Sequence, residues 1–183
     1  MLTAGPVQDV LLLENILELQ SRNLPGNLSQ EEARAQGFVT LKHSLSALRQ
    51  LHDVLPSIVA QRDGRLVGYA LSMAPQCRSV VPVLEPMFRV LDELARVGQP
   101  LAHRRHYVMG QVCVAKAARG TGVFDALYAA HRAAYASRFD LLVTEISVRN
   151  ERSLKAHARV GFRDLYRYQD DTDSWVVVGW DWL

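Results

Sequence analysis

Residues 107–131, YVMGQVCVAKAARGTGVFDALYAAH, read as a strand, a glycine-bearing turn and a helix in immediate succession. Tyr107 to Ala115 are mostly β-branched, aromatic or otherwise apolar, the signature of a strand covered on both faces and so of a central strand. Arg119-Gly120-Thr121-Gly122 interrupts that run. Val123, Leu127, Ala130 and Ala134 then follow at helical spacing, with Phe124 and Tyr128 flanking the same apolar stripe. A helix N-terminus leaves its first N–H groups unpaired and carries partial positive charge, and glycines let a ligand approach that backbone. The pattern therefore describes an anion cradle, with Arg119 at its mouth adding donors suited to phosphate. It equally describes a plain strand-to-helix turn that uses glycine for its φ freedom, and the Gly-x-Gly alone does not separate the two.

The next stretch does. From Leu141 the chain reads LLVTEISVRNERSLKAHARVGF: an apolar strand, a polar turn at Asn150, a short helix and a Gly-Phe exit. In order and spacing the two stretches resemble the GNAT superfamily of N-acetyltransferases, which use acetyl-CoA. The family's Q/R-x-x-G-x-G/A is met by Arg119, Gly120, Thr121 and Gly122, with a departure at Phe124, where Gly or Ala is usual. Its second signature is met by Asn150, Ser153, Gly161 and Phe162, and His157 stands where tyrosine is usual. The resemblance covers Tyr107 to Phe162 and implies an α/β (α+β) GNAT-type acyl-CoA N-acyltransferase fold, a mixed, mostly antiparallel sheet of six to seven strands flanked by helices. One domain over 1–183 is expected, with 107–162 as the acetyl-CoA-binding core and 75–103 as an inserted segment carrying a helix.

Composition sets the outer bounds. A chain of 183 residues suits one domain and can bury a sizeable core. With 49% hydrophobic and 22% charged residues and no apolar run approaching ~20 residues, it reads as a globular protein with no membrane span. The N-terminal stretch MLTAGPVQDVLLLEN has neither a basic n-region nor a small-residue cleavage site, so a cytoplasmic location is the expectation. Cys77 and Cys113 lie far apart and the histidines form no ligand-type cluster, which argues against a disulfide framework and a metal site. A net charge of +2, with Lys and Arg spread along the chain, gives no reason to expect a nucleic-acid partner.

In chain order, Val7 to about Gln20 has helical periodicity, and any strand before it must be very short. Ser29 with Glu32 forms a capping box for a helix stopping at Gly37, and Ser44 caps another through about His52. Ile58–Ala60 and Leu66–Leu71 flank Asp63-Gly64, a hairpin signal. A helix is expected from about Pro86 to Arg96, ending before Gly98; it leaves a lid, a homodimer surface and plain packing open. Arg163–Tyr168 and Ser174–Trp182 read as a second hairpin across an acidic turn.

Acetyl transfer to an amine needs the thioester held, its oxygen stabilised, the acceptor ammonium deprotonated and the leaving thiolate protonated. By resemblance, Val112, Cys113 and Val114 would splay from a neighbouring strand and bind the pantetheine arm. The N–H groups of Arg119, Gly120, Thr121, Gly122, Val123 and Phe124 would seat the pyrophosphate, and Asn150 and Ser153 would position the cofactor. Glu145 is in phase with Leu141 and Val143, so its carboxyl shares a face with apolar groups and should have a raised pKa. In related N-terminal acetyltransferases a Glu at this spacing is the base and a Tyr at the position of His157 the acid. The residues also allow a structural Glu145, salt-bridged to Arg149, and a packing His157. The expected activity is direct transfer from acetyl-CoA to a primary amine of a small molecule or peptide, without a metal. The alternative is a non-catalytic acyl-CoA-binding sensor or interaction module with a degenerate site.

Overall fold

The hairpin read at Asp63-Gly64 forms with φ values of 50° and 77° at these two residues, the paired positive φ of a tight turn between twisted strands. In chain order the elements of this computed structural model are β1 (Leu2–Pro6), α1 (Leu12–Ser21), α2 (Leu45–Val54), β2 (Ile58–Arg62), β3 (Arg65–Met73), α3 (Glu85–Arg96) and β4 (His106–Val114). They continue with α4 (Val123–Tyr135), β5 (Leu141–Ser147), α5 (Glu151–Val160), β6 (Arg163–Gln169) and β7 (Ser174–Asp181). The structure describes residues 1–27, 29, 31, 38–97, 101 and 103–183. The capped helix read from Ser29 to Gly37, and the Gly98 end of α3, lie outside the described residues.

Seven strands make one sheet in the order β1-β2-β3-β4-β5-β7-β6. The apolar run at Tyr107 is its middle strand, as the residue pattern requires. Only β4 and β5 pair in parallel; the other five pairings are antiparallel. Against β3, the strand β4 carries one extra residue: Leu71 lies opposite Gln111 and Ser72 opposite Met109, so Gly110 is bulged out. Side chains on β4 therefore change face at this point. Tyr107 and Met109 join the cluster containing Leu127 and Tyr128 of α4, whereas Cys113 joins Leu13, Ile16 and Leu48 of α1 and α2 across the sheet.

Two expectations need adjusting. The first helix starts at Leu12 instead of Val7, because Leu2–Pro6 forms a strand against β2 and the Val7 amide donates to Ser57 O at 2.8 Å. Asp9 Oδ1 then accepts from the Leu11 amide at 2.9 Å, turning the chain into α1. The second helix has the expected cap, with Ser44 Oγ accepting from the Ala47 amide at 3.1 Å, but continues to Val54. In the 75–103 segment, α3 buries Met87, Phe88, Leu91 and Leu94 in the larger core cluster. Arg78 ties it down through Glu85 at 2.7 Å and Asp92 at 2.8 Å, with its guanidinium over the Phe88 ring.

Candidate active site

The parallel pairing of β4 and β5 is short. It runs from His106 opposite Leu141 to Val108 opposite Val143 and then stops, while Val112, Cys113 and Val114 stay paired to β3. The bulge at Gly110 sits where the strands part. Their separation leaves the edge of Val112–Val114 that faces away from β3 without a strand partner, and it opens into a cleft of about 470 Å³. Val112, Cys113 and Val114 line one side, the glycine turn and the start of α4 a second, and α5 a third; Asn23, Phe38 and Val39 close the fourth.

At the turn, Gly120 and Gly122 have φ of 72° and 82°, a region that residues with a Cβ rarely enter. Gly122 is the residue before α4 and has no side chain to cap it, so among the described residues the first amides of the helix are unmet by side chains. A Cβ built on Gly122 meets nothing within 4 Å. Thr121 turns its hydroxyl from the cleft to Ala118 O at 2.8 Å and to Arg62 at 2.7 Å. Arg119 lines the cleft, its Nη2 donating to Asn23 Oδ1 at 2.6 Å and its Nε to Val114 O at 3.3 Å, which braces the turn against the end of α1. The Phe124 ring is half-buried, forming cleft wall while packing on Tyr128 and, edge to face, on His157 at 5.2 Å.

On the opposite wall Asn150 caps α5, its Oδ1 accepting from the Ser153 amide at 3.2 Å, and its Nδ2 reaches Phe38 O at 3.4 Å. Arg152, Ser153, Ala156 and Arg159 of α5 face the cleft, and Arg159 pairs with Asp125 of α4 at 2.7 Å. His157 does not. Its ring is 1% exposed, Nδ1 lies 2.7 Å from Ser153 O, and Nε2 lies 2.6 Å from the Tyr128 hydroxyl. Because a carbonyl can only accept, Nδ1 carries the proton and Nε2 accepts from Tyr128. Burial pushes the imidazole pKa down to about 4. The position that the resemblance gives to the acid thus lies off the cleft lining, with the ring neutral and held beneath Phe124.

Glu145 lies on β5 two residues past Val143, the last residue paired to β4, and so stands at the lip of the split. It shares a face with Val143 and with Val177 opposite it on β7. Its partner is the Tyr168 hydroxyl of β6, which donates to Oε2. Arg149, the ion-pair partner that a purely structural Glu145 would allow, instead binds Asp173 at 2.7 Å. Desolvation raises the Glu145 carboxyl to about 7, the Tyr168 hydrogen bond acting against this and the Asp170 charge adding to it. Across the split, a buried polar cluster fixes the fourth wall. Gln20 Nε2 lies 2.9 Å from His43 Nδ1 and 2.7 Å from Gln111 Oε1. Gln111 also accepts from Tyr69 at 2.6 Å and donates to Leu41 O at 2.7 Å.

A sequence model of the acetyltransferase (GNAT) family matches residues 13–162. The chain belongs to the GNAT acetyltransferase family. Among solved structures, the ribosomal-protein-S18-alanine N-acetyltransferase from Escherichia coli is 12% identical, with a TM-score of 0.65 over 99% of this chain and 94% of the other. Ard1 from Thermoplasma volcanium is 14% identical, with a TM-score of 0.66 over 100% and 98%. The NatC complex bound to Gag peptide and CoA contains a chain 14% identical, with a TM-score of 0.64 over 100% and 99%. These likenesses share the fold. No curated protein matches the sequence.

As a GNAT member the protein is an acyltransferase enzyme of the class that moves an acyl group from acetyl-CoA to an amine. The geometry brings the strand edge, the glycine turn, Asn150 and Ser153 around one cleft and leaves His157 behind its wall. Sequence reading passed over Arg152, Ala156 and Arg159, although their i, i+4, i+7 spacing was a usable signal of one helix face. Tyr168 and the Gln20–Gln111 cluster carried no such signal. For His157→Phe, the Tyr128 hydroxyl loses its acceptor, and a lower Tm is expected from a loss of ~1–3 kcal/mol. The pH–rate profile should keep its shape, and kcat should fall far less than the ~10²–10⁴-fold of a missing general acid. A loss of that size at low and neutral pH, vanishing as pH rises, would return His157 to the chemistry.

Proposed function

We propose that this GNAT enzyme transfers acetyl directly from acetyl-CoA to a primary amine, with Glu145 as general base. The observation that carries the reading is the split of β4 from β5, which opens an unpaired strand edge onto an uncapped helix start and sets a carboxylate at its lip. The residues fit the group: the backbone of Val112–Val114 can pair with an extended amide-bearing arm, and the amides following Gly122 can take a pyrophosphate without side-chain obstruction. Arg152 and Arg159 put cationic side chains on the α5 wall. Acetyl-CoA would supply the activated acyl group.

Glu145 takes a proton from the acceptor ammonium at the split, and backbone donors of β4 stabilise charge on the acyl oxygen. Cys113 plays no nucleophilic part in this reading, since burial pushes its thiol up to about 12. Protonation of the leaving thiolate falls to solvent at the open cleft, because His157 is turned inward and neutral. Peptide and small-molecule amines are both acceptors of the right chemistry.

The test is release of CoA thiol from acetyl-CoA across a panel of peptide N-termini, polyamines, amino acids and arylalkylamines. Amine-dependent release with a matching N-acetyl product is expected for at least one acceptor class. Tight CoA binding with no amine-dependent release across the panel would favour a binding module instead.

A further inference from the structure

We propose that Tyr168 is the positioning residue of the general base, holding the Glu145 carboxylate at the split between β4 and β5, with Asp170 acting against it from the turn beyond. The proposal rests on the reading of Glu145 as base and adds two residues to it.

The sheet order makes the contact. Strand β7 lies between β5 and β6, with Glu145 opposite Val177, Val177 opposite Tyr166, and Tyr168 opposite Trp175. Glu145, Val177 and Tyr168 thus lie on one face, and the tyrosine is long enough to reach across the intervening apolar strand to Oε2. Among the described residues, no arginine or lysine takes that place. Arg149 is engaged by Asp173, which also accepts from Ser147, the next residue on the Glu145 face. Among the described residues, Tyr168 and Asp170 are the titratable groups that act on Glu145; Val177 beside it is apolar.

A neutral donor suits a base better than a cation would. Arginine in the same place would hold the carboxylate ionised but too weakly basic to accept a proton near neutrality, as the Arg105 partner does to Asp140. A phenol fixes one oxygen by a hydrogen bond, leaves the second for the acceptor, and lowers the carboxyl pKa only against a larger rise from burial. Asp170 has the opposite sign: its charge disfavours the carboxylate. Its Oδ1 is already held by the Thr172 and Asp173 amides, at 2.8 and 3.0 Å, so its position is set by the turn itself.

Two substitutions should consequently move the base in opposite directions. Tyr168→Phe removes the donor, and the limb on which kcat/KM rises with pH should shift to higher pH. Asp170→Asn keeps the turn acceptor but removes the charge, and the same limb should shift to lower pH. The profiles are measured with an alkylamine that titrates well above neutrality, so that a limb near pH 7 belongs to the enzyme. A ¹³C NMR titration of the Glu145 carboxyl in the unliganded protein gives the same shifts without turnover.

A purely structural Tyr168 would lower Tm or kcat evenly and leave the limb in place; that result overturns the proposal. If Tyr168→Phe does not fold, Tyr168→Met read by the same carboxyl titration decides, and an unmoved titration counts against the proposal. The underlying reading fails separately: Glu145→Gln retaining the limb would show that Glu145 is not the base.

Discussion

Replacing Glu145 with glutamine is expected to lower kcat/KM by ~10²–10⁴-fold, the size of a lost general base, and to abolish the limb on which activity rises through neutral pH. The side chain keeps its shape and can still accept from Tyr168, so the change is confined to proton uptake. Burial raises the Glu145 carboxyl to about 7, and below that pH native Glu145 is itself protonated and idle. The deficit of the variant should therefore be greatest between about pH 7 and the acceptor's own pKa, where the base is ionised and the amine is still an ammonium ion. Above the latter, amine that is already neutral needs no base and the two enzymes converge.

Stability separates this loss from unfolding. A carboxyl whose pKa is raised from 4.5 to about 7 on folding binds its proton more tightly in the folded state, so it contributes least where it must ionise. Stability from this group is fully present below pH 4.5 and is lost as pH rises through 7. Glutamine has no such penalty, and Tm of the variant at pH 8 should equal or exceed that of the native protein. An inactive variant with a lower Tm, or an active one with an intact limb, would count against Glu145 as base.

The second large effect is expected at Gly122. Valine there must hold φ near 82°, where a Cβ crowds the backbone by roughly 1–2 kcal/mol and a β-branched side chain does worse. The local answer is to rotate the turn, which swings the first amides of α4 out of line; otherwise the isopropyl group stands in the space before them. Either way affinity for CoA should weaken at least about tenfold, measured by calorimetry beside a thermal melt. Gly122→Ala shares the strain with a smaller group and should fall between. A folded Gly122→Val protein that binds CoA as tightly as the native one would place the pyrophosphate elsewhere.

What was legible in the sequence was local or rested on paired motifs. The strand-turn-helix at Tyr107–His131, the hairpin at Asp63-Gly64 and the Ser44 cap each depend on neighbours within a few residues. So does the capping of α5 by Asn150, whereas its place beside a cofactor is what the family resemblance implies. The start of α1 was not, since Val7 leaves the helix for a partner at Ser57 that spacing cannot show. Nor was β1: Gly5 and Pro6 are poor strand formers, tolerated because the strand is at the sheet edge. His157 illustrates the limit most clearly. Its position one turn after Ser153 puts both on one side of α5, but whether a short imidazole looks outward or down depends on Tyr128, brought in by another helix. Tyr168 was hidden by strand order, because β7 inserts between the two strands whose side chains meet.

The bulged Gly110 also lets residues of equal spacing on β4 serve opposite sides of the sheet. Tyr107, Met109, Gln111 and Cys113 are spaced two apart, and in an even strand all four would point the same way. With one residue extruded, the first pair faces α4 and the second faces α1. Deleting that residue would restore even alternation, with Met109 still facing α4 and Gln111 still facing Gln20, Tyr69 and Leu41, so what goes is the local bend of the bulge and not the choice of face. A chain shortened there by one residue would keep its acceptor-side wall and forfeit the bend beside which β4 and β5 part.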